Sequence, residues 1–213
     1  MKRIALIDYG SGNIHSAERA LCEAARRADI PCEIVVTAEP DSVLASHAIV
    51  LPGVGHFADC ANNLNSKSGL VEALQEAVLE TGKPFLGICV GMQLLADIGL
   101  EDGETPGLGW IPGKVSKIDP DEGCRIPHMG WNEISMDTQH PLLDDLGENP
   151  HVYFTHSYVF QTQESTHVAA RMSYGKPFTA AVAKDNIFGT QFHPEKSQDV
   201  GLKILSNLLT WEP

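Results

Sequence analysis

The chain has 213 residues, 43% of them hydrophobic and 20% charged, enough for a large core, and it reads as a single domain over 1–213. Its formal net charge of −13 argues against a nucleic-acid partner or an anionic membrane surface. Five cysteines without a C-x-x-C pair suit a reducing cytoplasm, and no span of about 18 apolar residues offers a transmembrane helix.

Lys2-Arg3 lead into an apolar run that Asp8 interrupts at once, unlike a signal peptide. Within it, Ile4-Ala5-Leu6-Ile7 reads as a buried first strand, followed by the loop Asp8-Tyr9-Gly10-Ser11-Gly12-Asn13. Ile14, Ala17, Leu21 and Ala24 then recur at helical spacing to about Asp29. A glycine-rich loop between strand and helix raises a dinucleotide reading, but the third glycine is missing and no P-loop lysine follows. Ile34-Val35-Val36 and Ala48-Ile49-Val50-Leu51 predict two more strands, the latter running into Pro52-Gly53-Val54-Gly55. Leu70, Val71, Leu74, Ala77 and Val78 mark a helix that Gly82 closes. The apolar run after Pro84 predicts a fourth strand, ending at Cys89, and Met92, Leu94 and Leu95 begin another helical pattern. Strand and helix alternate, which predicts an α/β fold with a mostly parallel central sheet flanked by helices. Past residue 105, segments of strand composition around 113–118, 152–160, 167–172, 178–183 and 187–192 suggest antiparallel strands added to that core. A closing helix is expected from Asp199 to Leu209.

The chemistry centres on Gly87-Ile88-Cys89-Val90-Gly91. A strand, a tight turn and a helix with a cysteine at the apex have the mechanics of the nucleophile elbow. The glycines are expected to let the backbone fold sharply and to leave Cys89 exposed above the strand ends. The first N–H groups of the next helix would favour a thiolate there. A cysteine in apolar surroundings otherwise packs as core filler, a position that needs no flanking glycines.

His193 and Glu195 follow the last strand, two residues apart, and share a face in extended backbone. A histidine with a carboxylate beside it is the base and orienter that activates a nucleophile. Taken alone, His-x-Glu is as readily a satisfied surface pair, and zinc lacks a second His or Cys at ligand spacing. Neither a metal nor a cofactor is expected. An oxyanion could be received by the N–H of Val90 and by one from the Gly53-Val54-Gly55 loop.

Through Gly87-Ile88-Cys89-Val90-Gly91-Met92-Gln93, Pro52-Gly53-Val54-Gly55 and His193-Pro194-Glu195, the chain resembles the class I (triad) glutamine amidotransferases, whose core is flavodoxin-like. Asp8 to Asn13, Pro127-His128-Met129-Gly130-Trp131-Asn132, His156-Ser157-Tyr158 and His193-Pro194-Glu195-Lys196-Ser197 are more specific. They are similar to stretches of the glutaminase subunits of imidazole glycerol phosphate synthases. The resemblance implies that Cys89 attacks L-glutamine while His193 moves the proton and Glu195 orients the imidazole. It implies that Gln93, Ser157 and Tyr158 line the glutamine site with Gly53 at its edge, and that Val54 and Val90 form the oxyanion hole. Glu101 would pair with the substrate's α-ammonium group, and Asn13 and Lys196 would face a partner. That partner is a separate cyclase subunit, a (β/α)8 barrel that makes a heterodimer with the glutaminase and for which this chain has no room of its own. Competing readings are a glutaminase serving another synthase, a Cys-His-Glu hydrolase, and a subunit whose site is vestigial.

Overall fold

A computed structural model describes residues 1–121 and 123–213. The chain begins with β1 (Lys2–Ile7), α1 (Ile14–Arg27), β2 (Cys32–Thr37), α2 (Pro40–Leu44), β3 (Ala48–Gly53) and α3 (Phe57–Asn65). Then come α4 (Leu70–Gln75), which runs on through a wider π-helical turn (Glu76–Glu80), β4 (Phe85–Cys89) and the one-turn α5 (Val90–Gln93). The second half contributes β5 (Ile98–Gly99), β6 (Thr105–Pro106), β7 (Gly113–Lys117), β8 (His128–Met136), β9 (His151–His156) and β10 (Tyr158–Thr162). β11 (Val168–Tyr174), β12 (Lys176–Lys184), β13 (Ile187–Thr190) and α6 (Gln198–Thr210) complete it.

The main sheet has the order β2-β1-β3-β4-β13-β12-β11-β8-β9. From β2 to β13 neighbouring strands are parallel, and from β13 to β9 they are antiparallel. β3, β4 and β13 are buried along their whole length, which is why their sequences are continuous apolar runs. The outlying β9 alternates buried and half-buried or exposed residues, as expected of a strand with one wet face. α1 buries Ala17, Ala20, Leu21, Ala24 and Ala25 and packs against α6. Its first turn is capped by Asn13, whose side chain accepts the Ser16 N–H at 3.3 Å. A smaller sheet, β10-β7-β5-β6, lies apart in the hydrogen-bond pattern.

The parallel core, the first three strands, α1, the helix ending before Gly82 and the closing helix agree with the sequence reading. Four features differ. The helical pattern after Cys89 lasts one turn, because the carbonyls of Leu94, Leu95 and Ala96 are taken by the N–H groups of Leu108, Trp110, Ile111 and Gly109. The expected strand over 152–160 breaks at Ser157, so that β9 joins the main sheet and β10 the small one. β8 is a nine-residue strand where none was expected; its HMGWNEISM composition alternates weakly. The short helices α2 and α3 were also unforeseen. No helix among the described residues is long and apolar enough to cross a membrane.

Candidate active site

Three adjacent strands carry the site at their carboxyl ends, where open α/β sheets place ligands. Register puts Gly53 of β3 opposite Cys89 of β4, and Thr190 of β13 opposite Ile88. The chain beyond β13 therefore leaves the sheet beside the cysteine.

Cys89 has φ 55° and ψ −110°, a conformation that costs an L-residue about 1–3 kcal/mol and persists only under constraint from its surroundings. The sharp bend thus lies at the cysteine itself, whereas the flanking glycines make room. A Cβ on Gly87 would lie 2.6 Å from the Gly91 carbonyl oxygen, and one on Gly91 would strike the carbonyl oxygen of Leu51. Gly53 is equally confined, with the Gly91 nitrogen 2.7 Å from where its Cβ would be. Contrary to the expected exposure, Cys89 is only 4% accessible; its side chain opens into a cavity rather than standing above the surface. The one-turn α5 brings little macrodipole, so what it contributes is the N–H groups of its first turn, which have no partner within the helix.

His193 Nδ1 lies 2.7 Å from Glu195 Oε1, with both side chains almost wholly buried. This leaves Nε2, which faces the Cys89 sulfur without a well-formed hydrogen bond. Burial pushes the imidazole down, but the neighbouring Cys89 and the Glu195 carboxylate outweigh it and hold His193 at about 9, above its ordinary 6.5. These neighbours favour the protonated ring, the form that can give up a proton.

Ser197 fixes this segment. Its hydroxyl donates to the His193 carbonyl at 2.6 Å and accepts the Tyr153 N–H at 3.0 Å, while the His193 N–H donates to the Tyr153 carbonyl at 3.0 Å. Two of these bonds reach β9 and the third ties Ser197 back to His193, so His193 is stitched to that strand. From sequence Ser197 was only part of a motif; its bridging role depends on a strand 44 residues away.

A cavity of about 440 Å³ opens over the sulfur, a size suited to a small-molecule ligand. Of the residues singled out from sequence, Cys89, His193, Val54, Val90, Gln93, Glu101, Ser157, Tyr158, Asn13 and Lys196 all line it. Gly53 and Glu195 stand just behind, next to Val90 and His193 respectively. Val54 is 39% exposed and its carbonyl accepts the Cys60 thiol at 3.4 Å. One Glu101 oxygen accepts the Phe57 N–H at 2.8 Å, so this carboxylate also caps α3. Gln93 donates to the Tyr158 carbonyl at 3.1 Å, and His156 Nδ1 reaches the same oxygen at 2.8 Å. Behind it, His156 Nε2 and His128 Nδ1 are 3.1 Å apart, and His128 lies between the rings of Phe154 and Tyr174. Burial pushes both imidazoles down, His156 to about 4, so the pair is neutral. Neither histidine had been given a role from sequence. No cluster of three or more potential metal ligands occurs among the described residues.

The profile of the family "Glutamine amidotransferase class-I" matches residues 5–210. A Caulobacter vibrioides protein named imidazole glycerol phosphate synthase subunit HisH is 53% identical over 214 residues, covering 100% of each chain. The Rhodospirillum rubrum protein of the same name is 52% identical over 213 residues, 99% of this chain and 100% of its own. Among solved structures, one described as glutamine amidotransferase superposes with a TM-score of 0.70 at 20% identity, covering 96% of this chain and 98% of that one. Another, a glutamine amidotransferase from Thermotoga maritima, gives 0.58 at 16% identity, covering 91% and 76%. Those two likenesses support the fold, and the sequence matches go further: the chain belongs to the class-I glutamine amidotransferase family, in its imidazole glycerol phosphate synthase subunit HisH branch.

Proposed function

We propose that the chain, acting as one amidotransferase domain, hydrolyses L-glutamine at Cys89 and delivers the ammonia to a separate cyclase subunit. There the ammonia is used to make imidazole glycerol phosphate and aminoimidazole carboxamide ribonucleotide, a step of histidine biosynthesis. The observation that carries this reading is a cysteine at strained φ 55°, on a cavity shared with a histidine whose other nitrogen is held by a buried carboxylate.

The roles follow from the atoms. The Cys89 sulfur attacks the side-chain amide carbon of glutamine, forming an S–C bond, and the carbonyl oxygen becomes an oxyanion. The Val90 N–H, at the first position of α5, has no intrahelical partner and is the donor nearest to where that charge develops. A second donor comes from the Val54 side of the Gly53 loop; losing one such donor costs about 3–4 kcal/mol. Protonated His193 gives its Nε2 proton to the departing nitrogen, the C–N bond breaks and ammonia leaves. The neutral ring then takes a proton from water, which attacks the thioester and releases glutamate and the thiolate. Glu195 holds the ring through Nδ1 throughout. Gln93, Ser157 and Tyr158 border the substrate, and the free oxygen of Glu101 pairs with its α-ammonium group.

The partner surface is read at the cavity mouth, where Asn13 and Lys196 stand. In β8, Met129 is opposite Thr155, which lines the cavity, and Trp131 is opposite Tyr153, whose ring carries the Lys196 ammonium 5.8 Å from its centroid. Met129 and Trp131 are 63% and 47% exposed, so an apolar patch continues from the mouth. A cyclase docked there would receive ammonia without its passing through bulk water, where it becomes non-nucleophilic ammonium.

The test is a reconstituted assay with the cyclase of the same genome. Glutamine-dependent ring closure is expected, and Cys89→Ala should lower it below about a thousandth while ammonium salts still support the reaction. Retained glutamine-dependent turnover in that variant would reject the assignment.

A further inference from the structure

We propose that Gln191 is a further catalytic residue, whose carboxamide N–H supports the Cys89 sulfur in its anionic state. The inference rests on Cys89 being the nucleophile. Gln191 Nε2 lies 3.7 Å from Cys89 Sγ, within reach of a sulfur acceptor, and the residue is fully buried. Thr190 faces Ile88 across the β4–β13 ladder, so the next residue stands level with the cysteine.

An amide can present either its oxygen or its nitrogen, and the surroundings of Gln191 decide which. The Tyr158 carbonyl carries no proton, so Gln93 must turn Nε2 toward it, at 3.1 Å. The same Nε2 stands 3.0 Å from Gln191 and spends its second hydrogen there, so Gln191 must offer Oε1. Only its N–H₂ group is then left for the sulfur. His156 Nδ1 donates to the Tyr158 carbonyl as well, at 2.8 Å, and helps to hold that anchor in place. The chain of amides is therefore polarised in one direction, ending as a donor at the reacting atom. The sulfur is anionic twice in the cycle, before attack on the amide and when the thioester breaks. A hydrogen bond to a charged acceptor in a buried site is stronger than one to a neutral thiol, so the donor favours the thiolate at both moments.

Iodoacetamide alkylation of the full chain, followed from acid to alkaline pH with peptide mapping, tests the idea without depending on glutamine turnover. The wild-type chain should be labelled at Cys89. Gln191→Met, similar in length but without a donor, should slow labelling at neutral pH about tenfold and move the profile to higher pH, with rates converging in alkali. Gln191→Glu, which preserves size and the acceptor for Gln93, should move it further, because it sets a carboxylate beside the sulfur. Cooperative thermal unfolding establishes that each variant is folded, and the Glu variant serves where the apolar one disrupts the core. A profile coincident with wild type, or a uniform loss of rate at every pH, would overturn the role of Gln191 and leave Cys89 standing. Label placed mainly on another cysteine of the wild-type chain would overturn the nucleophile, and this inference with it.

Discussion

The proposed nucleophile and oxyanion loop come from β3 and β4, strands buried on both faces, where backbones meet closely at Gly53, Gly87 and Gly91. The proposed acid–base pair and substrate wall depend instead on the antiparallel half, where buried side chains hold distant segments together: Ser197 to Tyr153, and His156 to His128. The first region is specified by the absence of side chains, and the second by the satisfaction of hydrogen bonds. Steric exclusion in a packed core is close to all-or-none, while the loss of a hydrogen bond is graded. The two halves should therefore respond differently to substitution.

The largest expected effect tests the steric half. Gly91→Ala sets a Cβ against the Leu51 carbonyl and should cost more than about 3 kcal/mol, read as a fall in the urea midpoint with loss of glutaminase activity. A midpoint within experimental error of wild type would show that β3 and β4 can separate there, and the contrast would fail.

Next comes the hydrogen-bonded half. Ser197→Ala removes the acceptor of the Tyr153 N–H and one of two donors to the His193 carbonyl, which keeps the Lys196 N–H, and should cost about 2 kcal/mol. The chain should stay folded, with glutamine turnover lowered about tenfold as His193 loosens. Unfolding as complete as that of Gly91→Ala would erase the distinction between the halves.

The third prediction concerns pH. Folding raises His193 from 6.5 to about 9, so its stabilising contribution is fully present below about 6.5 and is lost as pH rises through about 9. Glu195 is one of the groups that raise it. The stability difference between wild type and Glu195→Gln should accordingly be greatest near pH 6.5 and narrow toward pH 9, measured as the gap between the two Tm values. A gap that widens over that interval would contradict the protonated ring.

Smallest in stability are the rim substitutions. Asn13→Ala should cost about 1 kcal/mol through its N-cap bond, and Lys196→Ala within about 0.5 kcal/mol. Both should lower the glutamine turnover measured with the cyclase while leaving the rate of the isolated chain nearly unchanged. Equal losses in both rates would place the damage in the triad rather than at the partner surface.

From the amino-acid sequence alone, the parallel core and the elbow were legible because their signals are local. A continuous apolar run marks a strand buried on both faces, and glycines on either side of Cys89 mark a backbone that must pass close to another. The pairing of His193 with Glu195 was legible for the same reason, being two residues apart. The resemblance to known glutaminases supplied candidate substrate and partner residues, which the fold then gathered around one cavity. Only the tertiary structure decided where the strand over 152–160 would break, because Ser157 parts two strands that find different sheets. It likewise decided that the helix after Cys89 would stop after one turn, since the N–H donors that claim its later carbonyls lie more than a turn away in the chain. Ser197, Gln191 and the His128–His156 pair acquired their positions in the same way. A polar residue's partner is chosen by which segments pack together, and nothing in its immediate neighbours records that choice.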